Sequence, residues 1–295
     1  MSAPPEAAGT RRAIALVMLA LTCLILLDAS GKWLGGRGVP VAATTWSRYL
    51  GHLLLILAIF LPAHGLSIFV TRHPVRQLVR GALMVLVTLL YFVALKAMPL
   101  AQATAVFFMT PILVTLFSTL YLRERPGWST WLAIGCGFAG VLIVVRPGTD
   151  LPLTGVLLTL AAAACNAAYQ TLTRAQAQAD APQVQVLYAG LVGAVIMTAS
   201  LPWWWAPRWW APLSLTPLDW LVFGAAGVLG GLGHLLLVRA YRLAQASRLA
   251  PWMYTQLLLS VTIGFLVFGD APDVAALAGM ALIAASPNLV NLRRR

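Results

Sequence analysis

The stretch ILLDASGKWL, residues 25–34, sets Asp28 and Lys32 four apart near the end of an apolar run that begins at Ala13. In a helix that spacing stacks the two side chains on one face. Arg48 interrupts the next apolar stretch, with His52 one turn beyond it. Two chemistries suit a carboxylate and a guanidinium in such surroundings. Asp28 can exchange protons or meet a cationic substrate group while Arg48 meets an anionic one. Alternatively, the two form an ion pair that ties the first two helices together. Ionisable groups within an apolar span are costly unless they face a cavity or a partner, so either reading gives them a purpose. Lys32 can join the same pathway or extend its ammonium group to the interface.

Further polar positions interrupt later apolar runs: Asn166 with Tyr169 and Gln170, then His234, then Tyr254 and Gln256. Asn166, His234, Tyr254 and Gln256 are candidates for a substrate or proton pathway. Ordinary hydrogen bonding between helices is the competing reading for each, and for His234 it comes first. No catalytic constellation is present, since HExxH, GxSxG and spaced Cys/His sets are all missing from the sequence. No metal site or cofactor is expected. Gly135-Cys-Gly-Phe-Ala-Gly140 satisfies G-x-G-x-x-G, but it lies inside an apolar run with no preceding strand, so close helix packing is the expected role. The same role is expected of Gly224, Gly227, Gly230, Gly231 and Gly233. Cys23, Cys136 and Cys165 also lie in apolar runs and are odd in number, which argues against a disulfide framework.

The elements that must hold these residues follow from composition. Sixty per cent of the 295 residues are hydrophobic and nine per cent are charged, against about a quarter charged in soluble chains. Such a chain belongs in a bilayer. Its formal net charge of +12 is spread singly along the sequence, unlike the basic face or tail that nucleic acid requires. About 20 apolar residues cross a membrane. Runs of that length are expected at 13–34, 42–62, 77–95, 100–121, 128–146, 152–173, 183–202, 217–238, 249–268 and 274–291. The separators are breakers such as GGRGVP at 35–40 and RPGTD at 146–150. The first run exceeds the apolar core of a secretory leader and reads as a retained helix. Asp28 then lies roughly 22 Å into it, at 1.5 Å per residue. Pro111 should kink the fourth helix.

With the N-terminus inside, fourteen Lys and Arg fall in inner segments and five in outer ones, with Arg48 inside a span. The positive-inside rule therefore places both termini in the cytoplasm. The outer segment WWWAPRWW, residues 203–210, fits an interfacial aromatic belt, with carbohydrate binding as the other reading.

One half of the chain repeats the other. At an offset of 146, Leu113, Leu120 and Pro126 meet Leu259, Leu266 and Pro272, and Glu124 meets Asp270. Five helices per half is odd, so the second copy enters the membrane inverted, as in secondary transporters whose site lies at the midplane between repeats. The phrases PLAQATAVFFMTPILVTLFSTLYLRERPGW (99–128), AIGCGFAGVLIVVRPG (133–148), GGLGHLLLVRAYRLAQASRLAPWMYTQ (230–256) and FGDAPDVAALAG (268–279) resemble the two EamA repeats of the drug/metabolite transporter superfamily. Asp270 and Gln256 depart from that pattern, where Glu and a nearby proline are commoner.

The resemblance implies an all-α integral membrane protein of ten transmembrane helices arranged as two inverted five-helix repeats. Residues 1–12 form a cytoplasmic tail, 13–146 the first repeat and 152–291 the second. It implies a secondary carrier that moves a small polar metabolite across a bacterial-type inner membrane by alternating access, coupled to protons or to exchange. LLDASGKWLGGRGVPVAATTWSRYLGH (26–52) is most similar to a metabolite-carrier subgroup that includes riboflavin, S-adenosylmethionine and amino-acid or metallophore carriers. The expected partners are a small-molecule metabolite and membrane lipid, without nucleic acid, and a homo-oligomer is compatible. The alternatives are a membrane-embedded enzyme, which the missing catalytic constellation disfavours, and a passive channel.

Overall fold

A computed structural model describes residues 5–121, 128–145, 152–175, 180–206, 210, 213–243, 252–253 and 255–285. Among these residues the chain is helical, without strands. The helices are α1 (Pro5–Gly36), α2 (Val41–His64), α3 (Pro74–Ala97), α4 (Leu100–Phe107), α5 (Thr110–Tyr121), α6 (Trp128–Val145), α7 (Leu153–Ala175), α8 (Pro182–Ala199), α9 (Pro217–Leu243), α10 (Thr255–Phe268) and α11 (Val274–Ala285). Among the described residues, seven stretches are long and apolar enough to cross a membrane, with shorter apolar helices at Gly135–Val144, Thr255–Phe268 and Val274–Ala285. The protein is a multi-pass membrane protein.

Local chemistry sets the ends of the elements. Gly38, at φ +83°, turns the chain out of α1, a backbone conformation that costs glycine little. Pro40 then stands immediately before α2, and Pro182 opens α8 at its first turn, where a missing N–H is harmless. The expected break at Pro111 is present between α4 and α5. Proline cannot donate to the Phe107 carbonyl four residues back, and the Thr110 hydroxyl donates to it instead at 2.8 Å. Gly269, at φ +71°, closes α10, and the Asp270 N–H donates to the Gly264 carbonyl at 3.1 Å.

The chain divides into two compact units, Met1–Gly81 with Asp180–Leu259, and Ala82–Ala179 with Ser260–Arg295. Each unit draws on both halves of the sequence. In the first, α9 packs against α1 and α2, and α2 packs against α8. Small residues permit this, because helices that are apolar all round associate in lipid through close backbone approach. A Cβ on Gly227 would stand 2.4 Å from the Gly51 Cα, and one on Gly233 2.9 Å from Leu24. Gly230 and Gly231 also face neighbouring side chains, but Gly224 and Gly135 face open space. Close packing therefore explains Gly227, Gly231 and Gly233 on α9 and Gly140 in the G-x-G-x-x-G match, but not Gly224 or Gly135.

In the second unit α6 packs against α11 by a reciprocal contact. A Cβ on Gly140 would meet the Gly279 carbonyl at 2.8 Å and Ile283 at 2.7 Å, while one on Gly279 would meet the Gly140 carbonyl and Val144, both at 2.7 Å. Each helix offers the other the same pair of positions, four residues apart, as a two-fold contact does. The cysteines at 23, 136 and 165 are free.

Polar locks hold the ends of the first unit. Asp180, before α8, accepts from the Thr71 hydroxyl at 2.8 Å, the Arg72 N–H at 3.0 Å and the Gln77 amide at 2.9 Å. Burial pushes its carboxyl pKa up, but these three donors and the nearby His73 charge outweigh it and hold the carboxyl below the usual carboxylate range. A depressed carboxylate contributes stability above its unfolded pKa of about 3.9, and that contribution is lost as pH falls through the folded value. Asp180→Ala should therefore cost about 1–3 kcal/mol at neutral pH, since it strips the acceptor from the buried Gln77 amide and from two part-buried donors. The difference from wild type should shrink below about pH 4. Thermal unfolding in nanodiscs across that range checks both points, and a pH-independent difference would refute the account.

The other end is held by Asp219, which is fully buried in the first turn of α9. It accepts from the Thr216 N–H and hydroxyl, both at 2.8 Å, and Thr216 Oγ1 in turn accepts from the Asp219 N–H at 3.3 Å. This is a capping box, with Asp in the place of the usual Glu or Gln. The same carboxylate accepts from the Trp33 indole at 2.7 Å and pairs with Arg37 at 3.6 Å, so it joins the start of α9 to the end of α1.

Candidate functional site

Asp28 on α1 and Arg48 on α2 lie within one another's field in the first unit, with His52 on α2 and His234 on α9 beside them. Arg48 is buried on α2. Its stem lies across the bare backbone of Gly230 on α9, where a Cβ would stand 3.6 Å from Arg48 Cγ and 3.5 Å from Nε. Its guanidinium carbon lies 5.1 Å from the centre of the Tyr49 ring. A side chain at 230 would thus touch the arginine at ordinary van der Waals distance, and the cation lies between two packed helices. Gly51 and Gly227 bring the same two backbones together one turn away.

Asp28, on α1, is half-buried and lies within the field of Arg48. Among the described residues, neither a hydrogen bond nor an ion pair ties down its carboxylate. The expected ion pair is therefore not closed in this conformation, although the two charges act on one another. Lys32 is half-buried one turn further along α1.

His234 on α9 sits beside His52 on α2, with ring centres 6.0 Å apart. The His52 Nε2 lies 3.2 Å from the Val186 carbonyl of α8, so Nε2 carries the proton in that contact and Nδ1 is the acceptor. The His234 Nε2 is buried with no hydrogen-bond partner among the described residues. A neutral ring tolerates a bare Nε2 as an unused acceptor, with its proton on Nδ1. Gly231 and Gly190 flank His52 closely, at 3.2 Å and 2.9 Å from where their Cβ atoms would be.

Of the remaining candidates, Gln256 is half-buried in the first turn of α10, and Asn166 is half-buried on α7 in the second unit. Tyr254 lies outside the described residues. Sequence reasoning noted His52 only as a neighbour of Arg48 and missed Ser47, whose hydroxyl donates to the Phe223 carbonyl and joins α2 to α9 one residue before the arginine. It also missed Asp219, although Thr216-x-x-Asp219 before an apolar run is a readable start signal.

A guanidinium, a carboxylate and two imidazoles in apolar spans can bind opposite charges or exchange protons. Comparison with known proteins gives this cluster a context. The EamA-like transporter family matches residues 11–146 and 153–292. The riboflavin transporter of Vibrio cholerae is 31% identical over 189 residues, spanning 64% of this chain and 61% of that protein. The riboflavin transporter of Rhizobium johnstonii is 29% identical over 273 residues, spanning 90% of this chain and 86% of that one. An S-adenosylmethionine uptake transporter of Rickettsia felis is 25% identical over 266 residues, spanning 90% and 87%. A solved crystal structure matches with a TM-score of 0.67 at 23% identity, covering 98% of this chain and 97% of that one, and this likeness speaks to the fold.

Proposed function

Because the chain belongs to the EamA-like transporter family, a family of carriers and not of enzymes, we propose that it is a secondary active transporter of a small polar metabolite. The observation that carries the proposal is the cluster of Asp28, Arg48, His52 and His234 on three helices that are mostly apolar. Groups so costly to bury are retained where they meet a substrate or a proton. The proposed substrate class is a nitrogen heterocycle bearing a hydroxylated or charged tail. Riboflavin and S-adenosylmethionine, named for the relatives, both fit that description. Arg48 would receive anionic or carbonyl oxygens, and Asp28 a proton or a cationic group.

In this reading ten helices form two inverted repeats, residues 13–146 and 152–291, and alternating access follows from one repeat rocking against the other. The 146-residue offset supports that symmetry. The distribution of basic residues supports a bacterial-type inner membrane location with both termini in the cytoplasm.

Counterflow in proteoliposomes tests the proposal. Vesicles preloaded with unlabelled riboflavin, or in a second arm S-adenosylmethionine, should take up the labelled compound several-fold faster than empty ones. Equal rates in loaded and empty vesicles would indicate a channel, and a chemically altered product an enzyme. Either result would overturn the reading.

A further inference from the structure

We infer that the aromatic cluster of Trp205, Trp210, Trp220 and Phe223 is a second binding site, specific for the flat face of a neutral nitrogen heterocycle. Trp205, Trp210, Leu213, Leu215 and Trp220 line a cavity of about 420 Å³, within the range of about 300–1,000 Å³ typical of small-molecule sites. The described lining residues are aromatic and aliphatic, which suits the flat apolar face of a ring.

The cavity wall is built, not incidental. Trp210 lies nearly parallel to Trp220, with an interplanar angle of 8° and centres 6.2 Å apart. Trp205 tilts against Trp210 at 4.8 Å, and Phe223 meets it edge-on at 6.3 Å. Such contacts fix the orientation of the rings. The Trp210 indole N–H is buried with no acceptor among the described residues. An unmade hydrogen bond at a buried donor is costly, and a ligand carbonyl or ring nitrogen would satisfy it.

An aromatic belt alone does not account for this pattern. Belt tryptophans turn their N–H groups to lipid headgroups and water. Here the indoles of Trp33, Trp46 and Trp204 donate to Asp219, Thr198 and Ser200. That leaves Trp210 as a buried donor on the wall of an open cavity. Carbohydrate also stacks on tryptophan, but its ring of hydroxyls needs several polar partners that these lining residues lack.

The site deepens the transport reading and rests on it for its purpose, a place where the ring of a substrate docks by stacking before or after it passes the charged cluster. Its test is independent of transport. Lumichrome, a tricyclic heterocycle with carbonyl groups and no sugar-like chain, is dialysed to equilibrium against the full chain in nanodiscs. Saturable binding is expected, with no competition from ribitol. Trp210→Phe keeps the ring and removes the donor, and should weaken binding about tenfold, the loss of one good hydrogen bond. Trp205 and Trp220 are 48% and 51% exposed, so Trp220→Leu, alone or with Trp205→Leu, should fold and should lose binding. Trp128→Leu, at a 67% exposed tryptophan outside the cavity, should bind lumichrome as wild type does. Absent binding, binding indifferent to all three cavity variants, or binding lost equally in Trp128→Leu would overturn the site. Counterflow measured on the same preparation shows separately whether the transport reading stands.

Discussion

Asp28→Asn should abolish pH-driven accumulation of substrate while leaving the protein folded and counterflow intact. The carboxylate stands on α1 in an apolar span, within the field of Arg48. Among the described residues, neither a hydrogen bond nor an ion pair holds it. A carboxylate locked in a closed ion pair could not release and regain a proton in each cycle, whereas one that only feels the neighbouring cation can. One proton moving down a one-unit pH gradient supplies ~1.4 kcal/mol, so accumulation across such a gradient should fall about tenfold, to none. If Asp28 instead serves only to balance Arg48, its loss leaves a buried cation uncompensated at roughly 3–5 kcal/mol. The double variant Asp28→Asn with Arg48→Met should then restore both stability and uptake. Uptake and thermal stability measured on the single and double variants separate the two. Rescue of pH-driven uptake in the double variant would exclude the proton role. Retained pH response in Asp28→Asn, with loss in His234→Gln, would move the proton to the histidine pair.

The second large effect is on stability. Gly227→Ala should destabilise the protein by about 3 kcal/mol, at the upper end of overpacking costs. The added carbon would stand 2.4 Å from the Gly51 Cα and 2.7 Å from the Ser47 carbonyl. Both are backbone, so no side chain can swing aside and α2 and α9 must part. Separation of these helices also unseats Arg48 from Gly230 and His52 from His234, and transport should fall with stability. Gly224→Ala, one turn earlier on the same helix, is the control. Nothing lies within 4 Å of its added carbon, and replacing glycine inside a helix should gain up to about 1 kcal/mol. Thermal unfolding of the two variants side by side decides the matter. Equal stability would remove the close backbone contact as the organising feature of this unit.

The membrane spans are legible along the chain because crossing a bilayer is a local requirement. The apolar runs beginning near 42, 128, 152 and 217 become α2, α6, α7 and α9, each starting within about two residues of its expected position. Pro111 and Gly38 act through their own backbones, so their breaks are equally readable. The family resemblance lies in phrases spread along the chain, and matches over residues 11–146 and 153–292 establish it. That Asp28 and Arg48 belong to one neighbourhood is also foreseeable, since the first two helices carry them 20 residues apart.

What the sequence does not contain is which faces meet. A soluble helix shows its buried side as an apolar stripe, but α1, α8 and α11 are apolar all round, and no stripe says which way a residue points. Only packing decides that Gly227 presses on Gly51 while Gly224 faces open space, or that Gly140 finds Gly279. Packing likewise sets His234 beside His52 and leaves its Nε2 without a hydrogen bond among the described residues. The Trp33 indole reaches a carboxylate 186 residues away, and Asp180 collects donors more than a hundred residues before it. These partners are set by helix contacts, and each residue alone is an ordinary interruption in an oily run. The bilayer requirement is written residue by residue along the chain. The polar pairing that serves function depends on rotations of helices about their axes, which only the assembled bundle determines.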